Sequence, residues 1–243
     1  MTLPPDTAPL HARLQRDGFA FLTANAMRQL LDAPGMLDWP EFAASWDDLA
    51  EDTYLAASGR HRRRRHATFS ATGAAAIRRE PHQPHFQSLR YNPLQGDIQR
   101  WFEPVREDIG QSLCLQRILG FCRDFFSGLA PQVGRWHIEV HQFRIEARAG
   151  EAGEPTPEGM HRDGVDYVLV LLIDRINIAR GTTTIHGLDH RTLGSFTLTH
   201  PFDAALVDDK RVFHGVTAVT ALDASQPSHR DVLVVTFRAA GEP

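Results

Sequence analysis

Residues 159–176, GMHRDGVDYVLVLLIDRI, decide the fold. They set a His-x-Asp pair, His161 and Asp163, just ahead of an apolar run over 165–173 that only Asp166 interrupts. Such a run is a strand buried on both faces. On an extended backbone, residues i and i+2 project to the same side, so one short segment delivers two side chains to one point. Two histidines and one carboxylate on one face, with the opposite positions open, suit ferrous iron that must also bind a co-substrate and dioxygen.

Downstream of Pro131 the texture is uniform. Short strands with turn residues between them are expected over 135–146, 165–173, 182–186, 195–198, 205–207, 211–219 and 231–238. Strands at this spacing, without helices between them, predict an antiparallel sandwich or jelly roll rather than a parallel sheet. Upstream the chain reads as mostly helical. Short helices are expected over 27–32 and 39–49, a short strand over 18–22, and a long amphipathic helix over 98–126 with Pro104 in its first turn. The expectation is therefore one α+β domain over 1–243, with a mostly helical part over 1–130 packed on one side of a jelly-roll core over 131–240.

Composition narrows the function. The 243 residues are 42% hydrophobic and 23% charged, enough for a core without staples. Cys114 and Cys122 are the only cysteines, too few for a disulfide framework or a thiolate zinc site. The start, MTLPPDTAPLHARL, has no basic region followed by an apolar stretch. A cytoplasmic location is expected, with no membrane partner. A net charge of −4 argues against a general polyanion field, so nucleic acid is not an expected partner. The one dense charge run, RHRRRRHATF over 60–69, reads as a solvated or acid-paired strand.

Spacing alone leaves the third metal ligand open. With thirteen histidines and nineteen aspartates, about one His-x-Asp arises by chance, and the chain holds a second at His229 and Asp231. That copy has no histidine after it, whereas His186, His190, His200 and His214 follow the first. A 2-oxoglutarate enzyme also needs a cation for the distal carboxylate of its cosubstrate, ideally a bidentate arginine. His214 has Arg230 sixteen residues on, and His200 has Arg211 eleven residues on, so both pairings survive. His214 is favoured because RVFHGVT is an apolar strand, whereas His200 precedes Pro201 in a turn.

The segments GMHRDGVDYVLVLLIDRINIARGTTTI, LVDDKRVFHGVT and HRDVLVVTF together resemble the bacterial iron(II)/2-oxoglutarate dioxygenases that hydroxylate free amino acids, the group containing L-isoleucine dioxygenase. Echoes in DTYLAASGRHRRRRHATF, FQSLRYNPLQGDIQRWFEPV and VHQFRIEA extend the likeness over most of 50–238. The resemblance implies a double-stranded β-helix (jelly roll, cupin-like) carrying Fe(II) at His161, Asp163 and His214, with 2-oxoglutarate held through Arg230. It implies oxidative decarboxylation of 2-oxoglutarate to succinate, coupled through dioxygen to hydroxylation of an unactivated C–H bond. Related halogenases carry a small residue in place of the carboxylate, so Asp163 points to hydroxylation. The family tends to have paired glycines where this chain has Arg180-Gly181, so the turn there is expected to be rebuilt.

An amino-acid substrate needs a cation for its carboxylate and an acceptor for its ammonium. On the strand 135–146, Trp136, Ile138, Val140, Gln142 and Arg144 share one face, and His137, Glu139, His141, Phe143 and Ile145 the other. The first is the more apolar at its start and is expected to face the cavity, which makes Gln142 and Arg144 substrate candidates. Tyr91 and Asn92 in RYNPL are lesser candidates, and His141 is read as a hydrogen-bonded packing residue. The loop 147–160 is either a lid or a surface connector. Two alternatives remain: the same chemistry on a macromolecular side chain docked at the 60–65 arginines, and a cupin-like module without turnover. A zinc hydrolase is disfavoured because no HExxH occurs.

Overall fold

A computed structural model describes residues 7–56, 62–92, 94–148 and 150–241. In chain order the elements are α1 (Thr7–Asp17), β1 (Phe19–Leu22), α2 (Ala24–Leu30), α3 (Trp39–Ala44), β2 (Ala50–Glu51), α4 (Thr53–Ala56), β3 (Arg62–Thr72), β4 (Arg78–Arg79), α5 (Glu107–Gly110) and α6 (Leu113–Leu129). The strand-rich half follows, with β5 (Arg135–Glu146), β6 (Tyr167–Ile176), β7 (Ile178–Arg180), β8 (Thr182–Gly187), β9 (Thr192–Thr197), β10 (Ala204–Asp208), β11 (Val212–Val216), β12 (Val219–Ala221) and β13 (His229–Ala239). A large antiparallel sheet in the order β1-β10-β6-β13-β5-β3-β2 stands against smaller sheets β11-β8-β9 and β12-β7. This is the expected double-stranded β-helix with helices packed against it.

Alternation on the large sheet separates its two faces. Trp136, Ile138 and Val140 of β5, Leu169 and Leu171 of β6, and Leu233, Val235 and Phe237 of β13 join the main core with Leu115, Ile118, Leu119, Cys122, Phe125 and Phe126 of α6. Phe126 stacks on Tyr167 at 4.8 Å and meets Phe237 edge-on at 5.2 Å. Both cysteines are buried and unpaired. The other face of the sheet looks toward the small sheets, through apolar clusters that include Val168, Ile185, Val207 and Val212.

Two readings of the first 130 residues change. The region is not mostly helical: among the described residues no helix occurs over 62–106, and the strands expected over 18–22 and 60–69 form as β1 and β3 and join the large sheet through β10 and β5. The long helix is also shorter and later than expected. Ser112 caps α6, its side chain accepting from Leu115 N, and 98–106 is irregular. Pro104 has no N–H to give a helix, and its neighbours pair with β3: His66 N donates to Glu103 O at 2.9 Å and Val105 N to His66 O at 3.0 Å. That pairing lays the segment before α5 along the mouth of the sheet instead of coiling it. Among the described residues no helix is long and apolar enough to cross a membrane.

The arginine run becomes β3, and its described members are paired. Arg62 meets Asp52 at 2.7 Å, Arg63 meets Glu146 at 2.8 Å, and Arg65 donates to the Asp48 and Pro104 carbonyls. Arg60 lies outside the described residues. The acid-paired reading of the run holds for Arg62, Arg63 and Arg65, which removes them as a free docking patch.

Candidate active site

His161 and His214 face each other across an isolated antiparallel bridge, each backbone N donating to the other's carbonyl at 2.9 Å. The bridge fixes the two rings 4.5 Å apart, centroid to centroid. Asp163 completes the group, with Oδ1 3.6 Å from His161 Nε2 and Oδ2 3.5 Å from His214 Nε2. Its loop is held by a carboxylate: Asp209 accepts from the backbone N–H groups of Asp163, Gly164 and Val165 at 2.8, 2.8 and 3.1 Å. Gly164 has φ +81°, and a Cβ there would lie 2.6 Å from the Tyr91 ring, so the turn after Asp163 demands glycine.

The donor set fits ferrous iron. Ligands about 2.1 Å from an octahedral ion stand roughly 3 Å apart on one face, so donors at 3.5–3.6 Å need only small movements. His161 Nδ1 lies 3.1 Å from Gly159 O, and the proton it places there leaves Nε2 free to ligate. Burial opposes charge on His161, but Asp163 and Glu158 raise its pKa to about 9. Burial and the neighbouring His161 lower His214 to about 4, so that ring is neutral. Burial works against ionised Asp163, yet both histidines hold its pKa well below the carboxylate range. His200 and Arg211 stand apart: His200 is exposed beside Asp203, and Arg211 donates to carbonyls at the end of α1.

A cavity of about 160 Å³ opens from this triad between the sheets. Arg230 reaches it from the end of β13 and is 2% exposed. Among the described residues its guanidinium makes no ion pair, and its Nε has no hydrogen-bond partner. Burial and then Arg175 lower its pKa to about 10, which leaves it cationic at neutral pH. Val168, Val170, Val232 and Val234 line the path between triad and arginine. The Arg180-Gly181 turn borders this end, with both residues left-handed at φ 63° and 78°. Arg175 Nη2 donates to the carbonyls of Arg180 and Ile178, holding the rebuilt turn in place of a second glycine.

The expected inward face of β5 is reversed. His137, Glu139, His141, Phe143 and Ile145 line the cavity, while Gln142 and Arg144 turn to the opposite side. The apolar start of that face packs on α6, as the largest apolar surface available to it. Gln142 Nε2 donates to Ser45 Oγ at 2.8 Å. Arg144 makes a fork on Asp231, at 2.8 and 2.6 Å, and reaches Asp47. Arg144→Ala is therefore expected to cost about 3 kcal/mol of stability in urea titration, because Asp231 stays buried without its partner. The KM for the organic substrate should be unchanged; a raised KM without loss of stability would restore Arg144 as a substrate residue.

Asn92 lines the cavity, but its side chain is spent on its own turn, accepting from Leu94 N and Gln95 N and donating to Gln87 Oε1. Tyr91 packs on Gly164 and supports the Asp163 loop. The loop 147–160 is pinned where it is described: Gly153 pairs with Val219 in both directions, Thr156 bonds to Val216, and Pro155–Glu158 wall the cavity. Glu158 Oε1 lies 3.3 Å from His161 Nε2, a carboxylate that sequence reading missed.

Also missed was a polar wall of Arg64, His66, His85, Arg100, Glu139 and His141. Glu139 Oε2 lies 2.5 Å from His85 Nδ1, 3.3 Å from His141 Nε2 and 3.6 Å from His66 Nε2. Burial works against ionised Glu139, but the histidines hold its pKa well below the carboxylate range. Burial lowers His66 to about 4 and holds His141 well below the usual imidazole range, so burial favours the neutral form of both. The donors of His66, His85, Glu139 and His141 are close enough together for a metal ion. However, Arg64 Nη2 lies 2.7 Å from His141 Nδ1, and an arginine can only donate there, which fixes the His141 proton on Nε2. A guanidinium in that place also repels a second cation. Period-two alternation on β3 and β5 would have exposed this wall, had the polar face of β5 been taken as the inner one.

Comparison with known proteins bears on the family and the fold. The family model described as 2OG-Fe dioxygenase matches residues 43–236. The 3(1)-hydroxy-L-isoleucine 4-dioxygenase of Pantoea ananatis (strain AJ13355) is 27% identical over 235 residues, 93% of each chain. The crystal structure of a bsmA homolog from Methylobium petroleophilum PM1 superposes with a TM-score of 0.87 at 38% identity, covering 99% of this chain and 96% of that one. IDO from Bacillus thuringiensis superposes at 0.79 with 18% identity, covering 97% and 100%, a likeness of fold.

Proposed function

The chain belongs to the 2OG-Fe dioxygenase family, and on that premise we propose that it hydroxylates the side chain of a free L-amino acid, an aliphatic one or a close derivative. As a 2-oxoglutarate-dependent dioxygenase it uses Fe(II), 2-oxoglutarate and dioxygen. Iron, when bound, supplies the activation of dioxygen that couples decarboxylation of 2-oxoglutarate to C–H hydroxylation. In this reading His161, Asp163 and His214 hold the metal, and Arg230 pairs with the distal carboxylate of 2-oxoglutarate. The valines between them keep water from the cosubstrate and strengthen that pairing.

One observation carries the substrate class: the cavity is small, about 160 Å³, and its wall bears both signs of charge, with Arg64, Arg100 and Glu139 all lining it. A small zwitterion matches such a wall. A relative named for a hydroxy-isoleucine substrate supports the same class. The macromolecular alternative loses its docking patch, because Arg62, Arg63 and Arg65 are engaged by neighbouring groups.

The test is an anaerobic titration of the protein with Fe(II) and 2-oxoglutarate, followed by aerobic turnover with a panel of free L-amino acids. A metal-to-ligand charge-transfer band and amino-acid-dependent succinate release are expected, the aliphatic members responding most. A band with no response from any amino acid would overturn the substrate class while leaving the cofactors standing.

A further inference from the structure

Arg100 is a second buried guanidinium in the cavity that, among the described residues, no carboxylate reaches at ion-pair distance. It is 2% exposed, and its Nη1 and Nη2 donate to Gln95 Oε1 and Gln87 Oε1, both neutral, at 2.9 Å. Its Nε has no partner, and among the described residues no ion pair reaches it. Burying a charge with neutral partners alone is costly, and a site that does so is poised for an anion. Arg230 already serves the cosubstrate, so a different anion is required here.

The surroundings identify that anion's carrier. Arg64 lies over the Phe102 ring at 3.5 Å, with Arg100 over the same ring at 5.9 Å. Arg64 stands 3.8 Å from Asp52, whose carboxylate Arg62 already holds at 2.7 Å. Arg62 and Arg64 thus share one aspartate, which leaves none for Arg100. Glu158 is directed at His161 and Asp163 belongs to the triad, so the acid left on this wall is Glu139, whose Oε2 takes the His85 ring while Oε1, among the described residues, meets only His137, at 3.4 Å. His85 links the two poles, because its backbone pairs with that of Arg100 in both directions at 2.9 Å.

We propose that Arg100, assisted by Arg64, binds the α-carboxylate of the amino-acid substrate, and that Glu139 binds its ammonium group. The wall then reads the part common to all amino acids and presents the side chain to His161, Asp163 and His214. This assignment rests on the amino-acid reading above and deepens it.

The experiment uses the anaerobic protein–Fe(II)–2-oxoglutarate complex. It is titrated with the best-responding amino acid of the panel and with that compound's own α-amide, decarboxylated amine and α-hydroxy acid, and binding is read from the perturbed charge-transfer band. Wild type should bind the amide and the amine about a hundredfold more weakly than the amino acid. Arg100→Gln should weaken the amino acid by about a hundredfold and bind the amide as wild type does, so the preference for a free carboxylate disappears. Arg100→Lys, which retains charge without the fork, should fall between the two. Glu139→Gln should erase the preference over the α-hydroxy acid.

A band that still forms in each variant reports an intact fold and cosubstrate site. If Arg100→Gln kept the carboxylate preference, or weakened every analogue equally, the assignment would fail. It would fail as well if the wild type bound a second Fe(II) equivalent that His85→Ala removed, which would make the wall a metal site. No amino-acid response in the panel is a different failure, that of the proposed function itself.

Discussion

Replacing Asp163 with alanine is expected to lower substrate-coupled succinate release by at least about a thousandfold, with little change in folding stability. The activity loss follows from geometry. Asp163 supplies the only carboxylate of the triad, within 3.6 Å of both histidine Nε2 atoms. Two histidines on one short bridge bind ferrous iron weakly, and Glu158, though 3.3 Å from His161 Nε2, is not part of the group that converges with His214. The stability expectation follows from the loop. Asp209, not the Asp163 side chain, accepts the three backbone N–H groups that shape the turn. The half-buried Asp163 and the buried Asp209 are also adjacent acids; burial, and then the Asp163 charge, raise the Asp209 pKa to about 7. Removing one of them relieves repulsion. Glutamate at 163 should not rescue, because an extra methylene moves the carboxylate past the point the bridge defines. The measurements are succinate yield with substrate, iron bound per chain after gel filtration, and a urea titration. Undiminished coupled succinate release from Asp163→Ala would refute the metal assignment.

What the sequence made legible was whatever two-residue periodicity and a turn could carry. The strand 135–146 was placed to the residue, and the metal pair emerged because His161 and Asp163 need only an extended backbone to converge. The pairing with His214 needed tertiary contact, yet the apolar strand around it supplied enough context to prefer it to His200. Failure came where two faces competed for the interior. β5 has one apolar face and one histidine-rich face, and in a jelly roll both are covered, one by α6 and one by the opposing sheet. Apolar alternation identifies the helix-facing side and says nothing about which side holds the cavity, so Arg144 and Gln142 were misplaced. The helix over 98–126 failed for a related reason. A 3.6-residue pattern runs through Trp101 and Val105, but the middle of β3, between the stretches that β2 and β4 pair with, needed a partner, and the Pro104 segment supplied it. That one exchange also brings Arg100 into the cavity, which no local pattern foretells.

Arg230→Gln is expected to raise the KM for 2-oxoglutarate by about a hundredfold or more, corresponding to roughly 3 kcal/mol lost from a desolvated charge pair. The guanidinium lies at the end of β13 among apolar walls, where a carboxylate meets it with little screening, so the effect should persist at high salt. Lysine at 230 keeps the charge without the bidentate fork and should recover only part of the affinity. Arg175 is the natural competitor. It neighbours Arg230 in the sheet, and its Nη1 also lacks a partner among the described residues. Its Nη2, however, holds the carbonyls of Ile178 and Arg180, so Arg175→Gln should loosen the left-handed turn and change the KM only a few-fold. Arg230→Gln should not destabilise the ligand-free chain, because the charge it removes is buried without a counter-ion. It should instead abolish the rise in Tm that 2-oxoglutarate and Fe(II) give the wild type under anaerobic conditions, since ligand-linked stabilisation disappears with affinity. An unchanged KM in Arg230→Gln, with a large increase in Arg175→Gln, would transfer the cosubstrate carboxylate from one arginine to the other.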